Sequence, residues 1–389
     1  MSLVDEISAT HRELITWRHE IHAKPELGFE EHSTAEFVAE KLKSFGIEVT
    51  RGIGKTGLVG VLRQGNETRS IGLRADMDAL PIHEQNTFAH RSTREGCMHA
   101  CGHDGHTIML LAAARYLSET RNFRGQVNFI FQPAEEGIGG ARAMIEDKLF
   151  EKFPCDSLYA MHNGPGLGLG KFITSPGIRT AAGAFFDIRI TGKGGHGAHP
   201  DKTVDPVIIA AELVTALQTI VSRSVKPSET AVLSVTQVHA GDAYNVIPGS
   251  AILSGTVRTL SLKLLSKIEK RIDTLVRGIT VAYGGEAELD FRIIFHPVIN
   301  DVGVTSLAAE VCDNLVGSDN VIRESPASTG SEDFSFMSEQ VPGCYVILGN
   351  GSESAPLHNH HYDFNDDALV FGASFFTRIV ERSLRDENT

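Results

Sequence analysis

The chain has 389 residues, 41% of them apolar, and a formal net charge of −13 from 36 basic against 49 acidic side chains. That length exceeds what one hydrophobic core usually serves, so two domains are expected. The acidic balance, offset by no Lys/Arg cluster in the sequence, argues against nucleic acid as a partner. The opening MSLVDEISATHREL carries no apolar core segment, and no run of eighteen apolar residues follows anywhere. Neither a secretory signal nor a transmembrane helix is therefore expected, and the reading is a soluble, cytoplasmic protein with no membrane partner. Five cysteines, an odd number without a regular framework, suit a reducing compartment and leave thiols for metal.

In chain order, the pattern predicts helices over Glu6 to His22 and Ser33 to Phe45, separated by the breaker Lys24-Pro25-Glu26-Leu27-Gly28. Gly52-Ile53-Gly54-Lys55-Thr56-Gly57 fits GxGxxG, but strand-like runs flank it and no helix follows, so it reads as a hairpin turn rather than a phosphate cradle. Short apolar runs at Leu58 to Leu62, Ile71 to Ala75, Val127 to Phe131 and Leu158 to Met161 predict strands, with a helix at Thr107 to Leu117. This mixture is an α/β sheet with covering helices. Three of the strands stop at polar clusters, Arg74-Ala75-Asp76-Met77-Asp78, Gln132-Pro133-Ala134-Glu135-Glu136 and His162-Asn163. Strands that end together would bring these clusters into one crevice.

From about Ala181 the rhythm changes. Strands at Phe185 to Thr191, Ala231 to Val238, Ala251 to Arg258 and Ala287 to Ile294, with helices at Val204 to Ser222 and Leu260 to Tyr283, predict an inserted α+β unit over 181–294. Within it, Lys193-Gly194-Gly195 lacks the spacing and the Ser/Thr of a P-loop. The first domain, 1–180, then resumes over 295–389, with a helix near Val304 to Leu315 and a strand near Tyr345 to Leu348.

The densest chemistry is CGHDGH at Cys101 to His106. Cys97, His99, Cys101, His103, Asp104 and His106 crowd into ten residues, and Gly102 and Gly105 let the backbone bend so that several heads converge. A lone histidine is more often a hydrogen-bonded group than a ligand, and a structural zinc knot needs a second Cys/His pair that is not here. Further ligands must come from distant segments. Glu135 and Glu136 fit a solvated helix start behind Pro133. As adjacent acids, however, they cannot share one orientation, so one is free to bind metal while the other faces a water, the division hydrolysis requires. Two His-Asn pairs, His162-Asn163 and His358-Asn359, are further candidates, and with His360 and His361 following, chemistry alone does not choose among the last three histidines.

At this point the chain resembles a family, the dinuclear metallo-amidohydrolases that include hippurate hydrolase, auxin-conjugate hydrolases, N-acetyl-diaminopimelate deacetylase, aminoacylase and, more distantly, carboxypeptidase G. The likeness rests on RHEIHAKPELGFEE (18–31), RADMDALPI (74–82), MHACGHDGH (98–106), FQPAEEG (131–137), MHN (161–163), GKGGHGAHP (192–200), NVIP (245–248), GTVRT (255–259), GSEDFS (330–335) and LHN (357–359). It implies a zinc-peptidase-like catalytic domain with a mixed central sheet, and an inserted lid and dimerisation domain of four strands and two helices. By the same resemblance, Cys101 bridges two divalent ions (zinc, manganese, nickel or cobalt), with Glu136 and His358 completing one site and His103 and His162 the other. Glu135 is then the general base, Asp78 (with Asp76 beside it) a carboxylate that orients the ligands, and His196 a lid residue that polarises the scissile carbonyl. Asn245 and Arg258 bind the substrate's amide or carboxylate region. A cysteine at the bridge marks the hippurate and auxin-conjugate branch, from which Asp201 after GAHP departs. The implied reaction is hydrolysis of N-acyl-L-amino acids by a homodimer or larger homo-oligomer. The alternatives are a metallo-carboxypeptidase or dipeptidase using the same site, and a non-catalytic metal-binding oligomer, against which the full ligand set and Glu135 count.

Overall fold

The computed structural model describes residues 2–385, and the chain folds as two compact units. The first comprises the residues up to Arg179, Val298–Pro326 and the segment from Asp333; the second comprises Thr180–Pro297 and Ala327–Glu332.

The first unit is built on an eight-stranded mixed sheet. Strands β1 (Glu48–Arg51), β2 (Leu58–Gln64), β3 (Ser70–Asp76), β4 (Gly125–Gln132) and β5 (Ser157–Gly164) lie in the order β1-β2-β4-β3-β5, followed by Gly343–Gly349, Phe172–Ile173 and Val321–Ile322. Apolar residues alternate across the pleat, because successive side chains point to opposite faces. Val127, Phe129 and Phe131 join the core under the helices His11–His22, His103–Thr120 and Ala368–Ser383, while Ile130 joins the core on the other face with Val59, Val61 and Leu158. Both faces are covered, which explains why these strands read as nearly continuous apolar runs. β3, β4, β5 and Gly343–Gly349 are mutually parallel, so their carboxyl ends share one edge, and the expected crevice forms there.

Several boundaries differ from the sequence expectation. The first helix breaks into Leu3–Ser8 and His11–His22. The Ser8 and Thr10 hydroxyls donate to the Val4 and Ile7 carbonyls, a local bond that competes with continued helix. The helix expected from Thr107 begins at His103, and β1, Phe172–Ile173 and Val321–Ile322 are additional strands too short to carry a period. The GxGxxG segment is the connection of the β1/β2 hairpin, in which Arg51 pairs with Leu58 and Gly52, Gly54 and Lys55 take positive φ.

The second unit is a four-stranded antiparallel sheet, ordered Ala231–His239, Ser250–Thr259, Ala182–Thr191, Glu286–Phe295, with the helices Pro206–Thr219 and Leu262–Ala282 on it. By length and composition alone Pro206–Ser224 is long and apolar enough to cross a membrane. Its Ile209, Ala210, Leu213 and Leu217 lie instead in the core of this unit.

Two features of the first unit position the crevice. The helix His103–Thr120 is tied to His11–His22 by buried charge: Arg18 Nη1 lies 3.2 Å and His22 Nδ1 2.8 Å from Asp104 Oδ2. Burial disfavours the His22 cation, but Asp104 and Glu84 outweigh it and raise its pKa to about 9. Burial alone would raise the Asp104 carboxyl, yet His22 and Arg18 hold it far below the usual range. The second feature is Gly140, whose N–H donates to the Ala134 carbonyl at 3.0 Å. A Cβ there would lie 1.6 Å from the Pro133 carbonyl oxygen, so only glycine lets the Glu135-Glu136 turn fold back on the next helix.

Two outcomes are expected. A histidine whose folded pKa is raised contributes stability that is complete below its unfolded value near 6.5 and is lost as pH rises through about 9. The unfolding free energy of the wild type from urea titrations should fall across that window by up to about 3 kcal/mol, and His22→Gln should flatten the profile; equal slopes would rule out a stabilising His22 cation. Gly140→Ala should cost roughly 1–3 kcal/mol through overpacking, read as a lowered urea midpoint, and should reduce turnover because the displaced backbone carries Glu135.

Candidate metal and catalytic centre

The carboxyl ends of three parallel strands deliver Asp76, Glu135 with Glu136, and His162 to one edge, and the first turn of His103–Thr120 inserts between them. Gly102 caps this helix at φ +95, and a Cβ on it would sit 2.3 Å from Asn163 Oδ1; a Cβ on Gly105 would sit 2.4 Å from the Phe364 ring. The two glycines of CGHDGH are thus required by conformation and by contact.

Cys101, His103 and His162 place one ligand atom each within 4.8 Å of one another, as do Cys101, Glu136 and His358, and as do His103, Glu135 and Glu136. Cys101 is common to the first two groups. Cys101 Sγ stands 3.4 Å from His162 Nε2, and His358 Nε2 stands 3.2 Å from Glu136 Oε1. His162 Nδ1 donates to the Asn163 carbonyl at 2.8 Å, which leaves the Nε2 lone pair directed at the thiol. His103 Nδ1 meets Asp78 Oδ1 at 3.1 Å, while its buried Nε2 has no hydrogen-bond partner. Asp78 Oδ2 accepts from Glu136 N at 3.0 Å, so this one carboxylate fixes both a histidine and the backbone of the adjacent acid.

The electrostatics of this set favour a cation. Burial, then Glu136, Glu135 and Asp76, push the Cys101 thiol well above its ordinary pKa. Burial opposes a charge on His103, but Asp76 and Asp78 overcome it and raise its pKa to about 10. His162 is driven well down by burial and by His106. A buried thiol, the His162 Nε2 lone pair and converging carboxylates whose potential holds a proton on His103 form a donor set that fits divalent cations of the N/O/S class, which would take that proton's place on His103.

The surrounding groups are ones the sequence reading did not single out. Arg74, fully buried, donates to Gln132 Oε1 at 2.9 Å and Asp76 Oδ2 at 2.7 Å and reaches Asp333 Oδ1 at 3.3 Å. Asp333 N donates to Glu135 Oε1 at 3.3 Å. Glu31, pushed up chiefly by burial, accepts from Ala134 N at 2.8 Å. The available signals were the arginine in the polar cluster that ends the strand pattern at 74–78 and the acids of GFEE and GSEDFS. Asp104 and His106, crowded into the same motif, lie in the first turn of the helix. His106 lies 2.6 Å from Asp76 Oδ1 and 2.7 Å from Asn163 Oδ1, and Asn163 in turn donates to the Tyr362 hydroxyl. Cys97 and His99 stay outside the donor groups; burial pushes the Cys97 thiol up to about 11 and the His99 ring down to about 4.

His196, Asn245 and Arg258 belong to the second unit. His196 is exposed in a two-residue ladder against Val246–Ile247, and Gly197 N donates to the Asn245 carbonyl at 2.8 Å, which puts His196 and Asn245 side by side. Arg258 stands apart on Ser250–Thr259, half-buried over the Phe185 ring and donating to Thr256 and to the Val257 carbonyl.

Residues 72–382 match the model of peptidase family M20/M25/M40. The chain is 43% identical to a hippurate hydrolase of Campylobacter jejuni over 385 residues, covering 99% of this chain and 100% of that protein. It is 46% identical over 301 residues, 77% of this chain and 80% of the relative, to an N-acyl-L-amino acid amidohydrolase of Geobacillus stearothermophilus. Among solved structures, the YXEP protein of Bacillus subtilis, described as a dinuclear metal-binding peptidase, superposes with a TM-score of 0.83 at 31% identity, covering 97% of this chain and 99% of that one. With the family match spanning most of its length and the mixed α/β architecture in agreement, the chain belongs to peptidase family M20/M25/M40.

Proposed function

We propose that this protein hydrolyses the amide bond of N-acyl-L-amino acids of the hippurate or N-acetyl type, releasing a carboxylate and a free amino acid. The observation that carries this reading is Cys101 shared between two donor groups, with Glu135 beside Glu136 at their edge. The relatives named for hippurate and N-acyl-amino-acid hydrolysis support the choice of substrate. Cys101, Glu136 and His358 would hold one divalent ion and Cys101, His103 and His162 the other. Zinc, manganese, cobalt and nickel all suit these ligands. When bound, two such ions supply Lewis acidity to the amide carbonyl and bring the acidity of water near neutral pH.

The remaining roles fall to the chain's own groups. Glu135 takes the proton of the attacking water at a carboxylate oxygen and returns it to the leaving amine. Asp78, bonded to His103 and to the Glu136 backbone, keeps both oriented and makes the imidazole more basic, with Asp76 acting alongside. The second unit serves as lid and dimerisation domain. From it His196 donates to the developing oxyanion, worth about 3–4 kcal/mol for a well-placed donor. Asn245 and Arg258 bind the amide and carboxylate region, the guanidinium through two parallel hydrogen bonds. The working form is a cytoplasmic homodimer or larger homo-oligomer.

A panel of benzoyl- and acetyl-amino acids against dipeptides, on protein of defined metal content, separates this activity from that of a carboxypeptidase or dipeptidase; faster cleavage of the dipeptides would replace the present reading. Glu135→Ala should retain both metal equivalents by elemental analysis while kcat falls about 10²–10⁴-fold. Cys101→Ala and His103→Ala should lose metal and activity together. A Glu135→Ala enzyme with ordinary turnover would remove the base from the scheme.

A further inference from the structure

At the opposite end of the first unit's sheet, a cavity of about 550 Å³ is lined by Arg121, Arg124, Arg378, Arg382 and Arg385, with Glu381 as its one carboxylate among the described residues. Five arginines around one space are unexpected in a chain of net charge −13, even with Arg382 Nη2 reaching Glu310 Oε2 at 3.4 Å. The cavity abuts Gly125, where β4 begins, whereas Glu135 follows the other end of β4. The eight-residue strand separates them by roughly 23 Å. The cavity is therefore independent of the hydrolytic centre.

Its walls are fixed. Arg124 N donates to the Leu384 carbonyl at 2.8 Å, and Arg69 Nη2 to the Arg385 carbonyl at 2.6 Å, which ties the end of Ala368–Ser383 to the segment before β4. Glu381, only 8% exposed, is bound by Arg378 at 2.8 Å and by Asn122 at 3.0 Å, so the lining acid is matched from within the wall. Phe123, buried beside it, supplies an apolar floor.

Helix capping does not account for the cluster. Arginine near a helix carboxyl end offsets the partial charge of the last carbonyls, and Arg121 does this with its backbone N–H to Leu117 and its Nε to Ser118, while its Nη1 donates to the Arg63 carbonyl at 3.1 Å at the cavity's edge. Yet Arg121 holds φ +51, a left-handed conformation in which an L side chain is strained and glycine is favoured. An arginine at a position suited to glycine, facing a cavity with four more, has a use beyond the cap. Guanidinium forks match phosphate oxygens two at a time, and like charges held close together are relieved by a multivalent anion.

We propose that this cavity binds a small polyanion of the phosphate class, free or as a phosphorylated metabolite. Its volume lies within the range of ligand pockets. The test uses isothermal titration of the metal-loaded protein with sodium phosphate and sodium pyrophosphate, at ionic strength matched with chloride, and metal content measured before and after. Wild type should bind pyrophosphate more tightly than phosphate. Arg382→Glu should weaken pyrophosphate binding about tenfold or more. Arg121→Gly should weaken it likewise while the protein still unfolds cooperatively within a few degrees of wild type in chloride, because relief of the positive φ offsets the lost bonds to Ser118 and Arg63. Both variants should hydrolyse benzoylglycine like wild type in the absence of the anion. Binding that persists unchanged in both variants, pyrophosphate no tighter than phosphate, or heat no greater than that of chloride would each overturn the proposal.

Discussion

Three carboxylates buried around the amino end of one helix set the terms for the whole first unit. Asp76, Asp78 and Asp104 are each at most 1% exposed, and none can remain charged there without a partner. Arg74 and His106 answer Asp76, His103 answers Asp78, and Arg18 with His22 answers Asp104. These partners come from different elements, so satisfying the charges also fixes the relative placement of β3, the helix His103–Thr120 and the helix His11–His22. One partner, His103, keeps its Nε2 without a hydrogen bond, 3.8 Å from Asp76 Oδ2. Neutralising the carboxylates and presenting a ligand are therefore one operation.

How legible this was in the sequence depended on the range of the interaction. CGHDGH and the paired acids at 135–136 stand out because short spacing and residue type reveal them, and the apolar runs that deliver them to one edge have the period of strands. The choice of His358 over His360 and His361 had no local signal. It depends on a backbone at φ +61 and on the proximity of Glu136, more than two hundred residues earlier. The cluster holding Arg74 was visible, but its bonds to Gln132 and Asp333 were not, since partners so distant in the chain leave no local pattern. The break after Ser8 and the early start at His103 were missed for a smaller reason: hydroxyl back-bonds and a left-handed glycine cap decide helix ends, and apolar periodicity does not report them.

The turn around the acids is held under constraint. Ala134 takes φ +51 immediately before Glu135, a conformation that costs an L residue of order 1 kcal/mol and persists where its surroundings dictate it. Those surroundings are the Glu31 carboxylate on its N–H, the Gly140 N–H on its carbonyl and the close approach of Gly28, on which a Cβ would lie 3.0 Å from Ala134 Cα. A base held this way has little freedom to rotate from its water, so orientation is settled by folding rather than by substrate binding.

The order of the strands has a consequence for how the protein is made. β5 carries His162 and pairs with Gly343–Gly349, and His358 follows that strand. At a synthesis rate of 5–20 residues per second, ribosomes need on the order of ten seconds to cover the intervening chain. During that interval the edge of β5 lacks its later partner, and the donor atoms already synthesised are those of Cys101, His103, Glu136 and His162. A nascent chain at this stage offers a partial metal site and an open strand edge together, which makes the stretch of translation between β5 and Gly343–Gly349 the period of greatest exposure to misassembly.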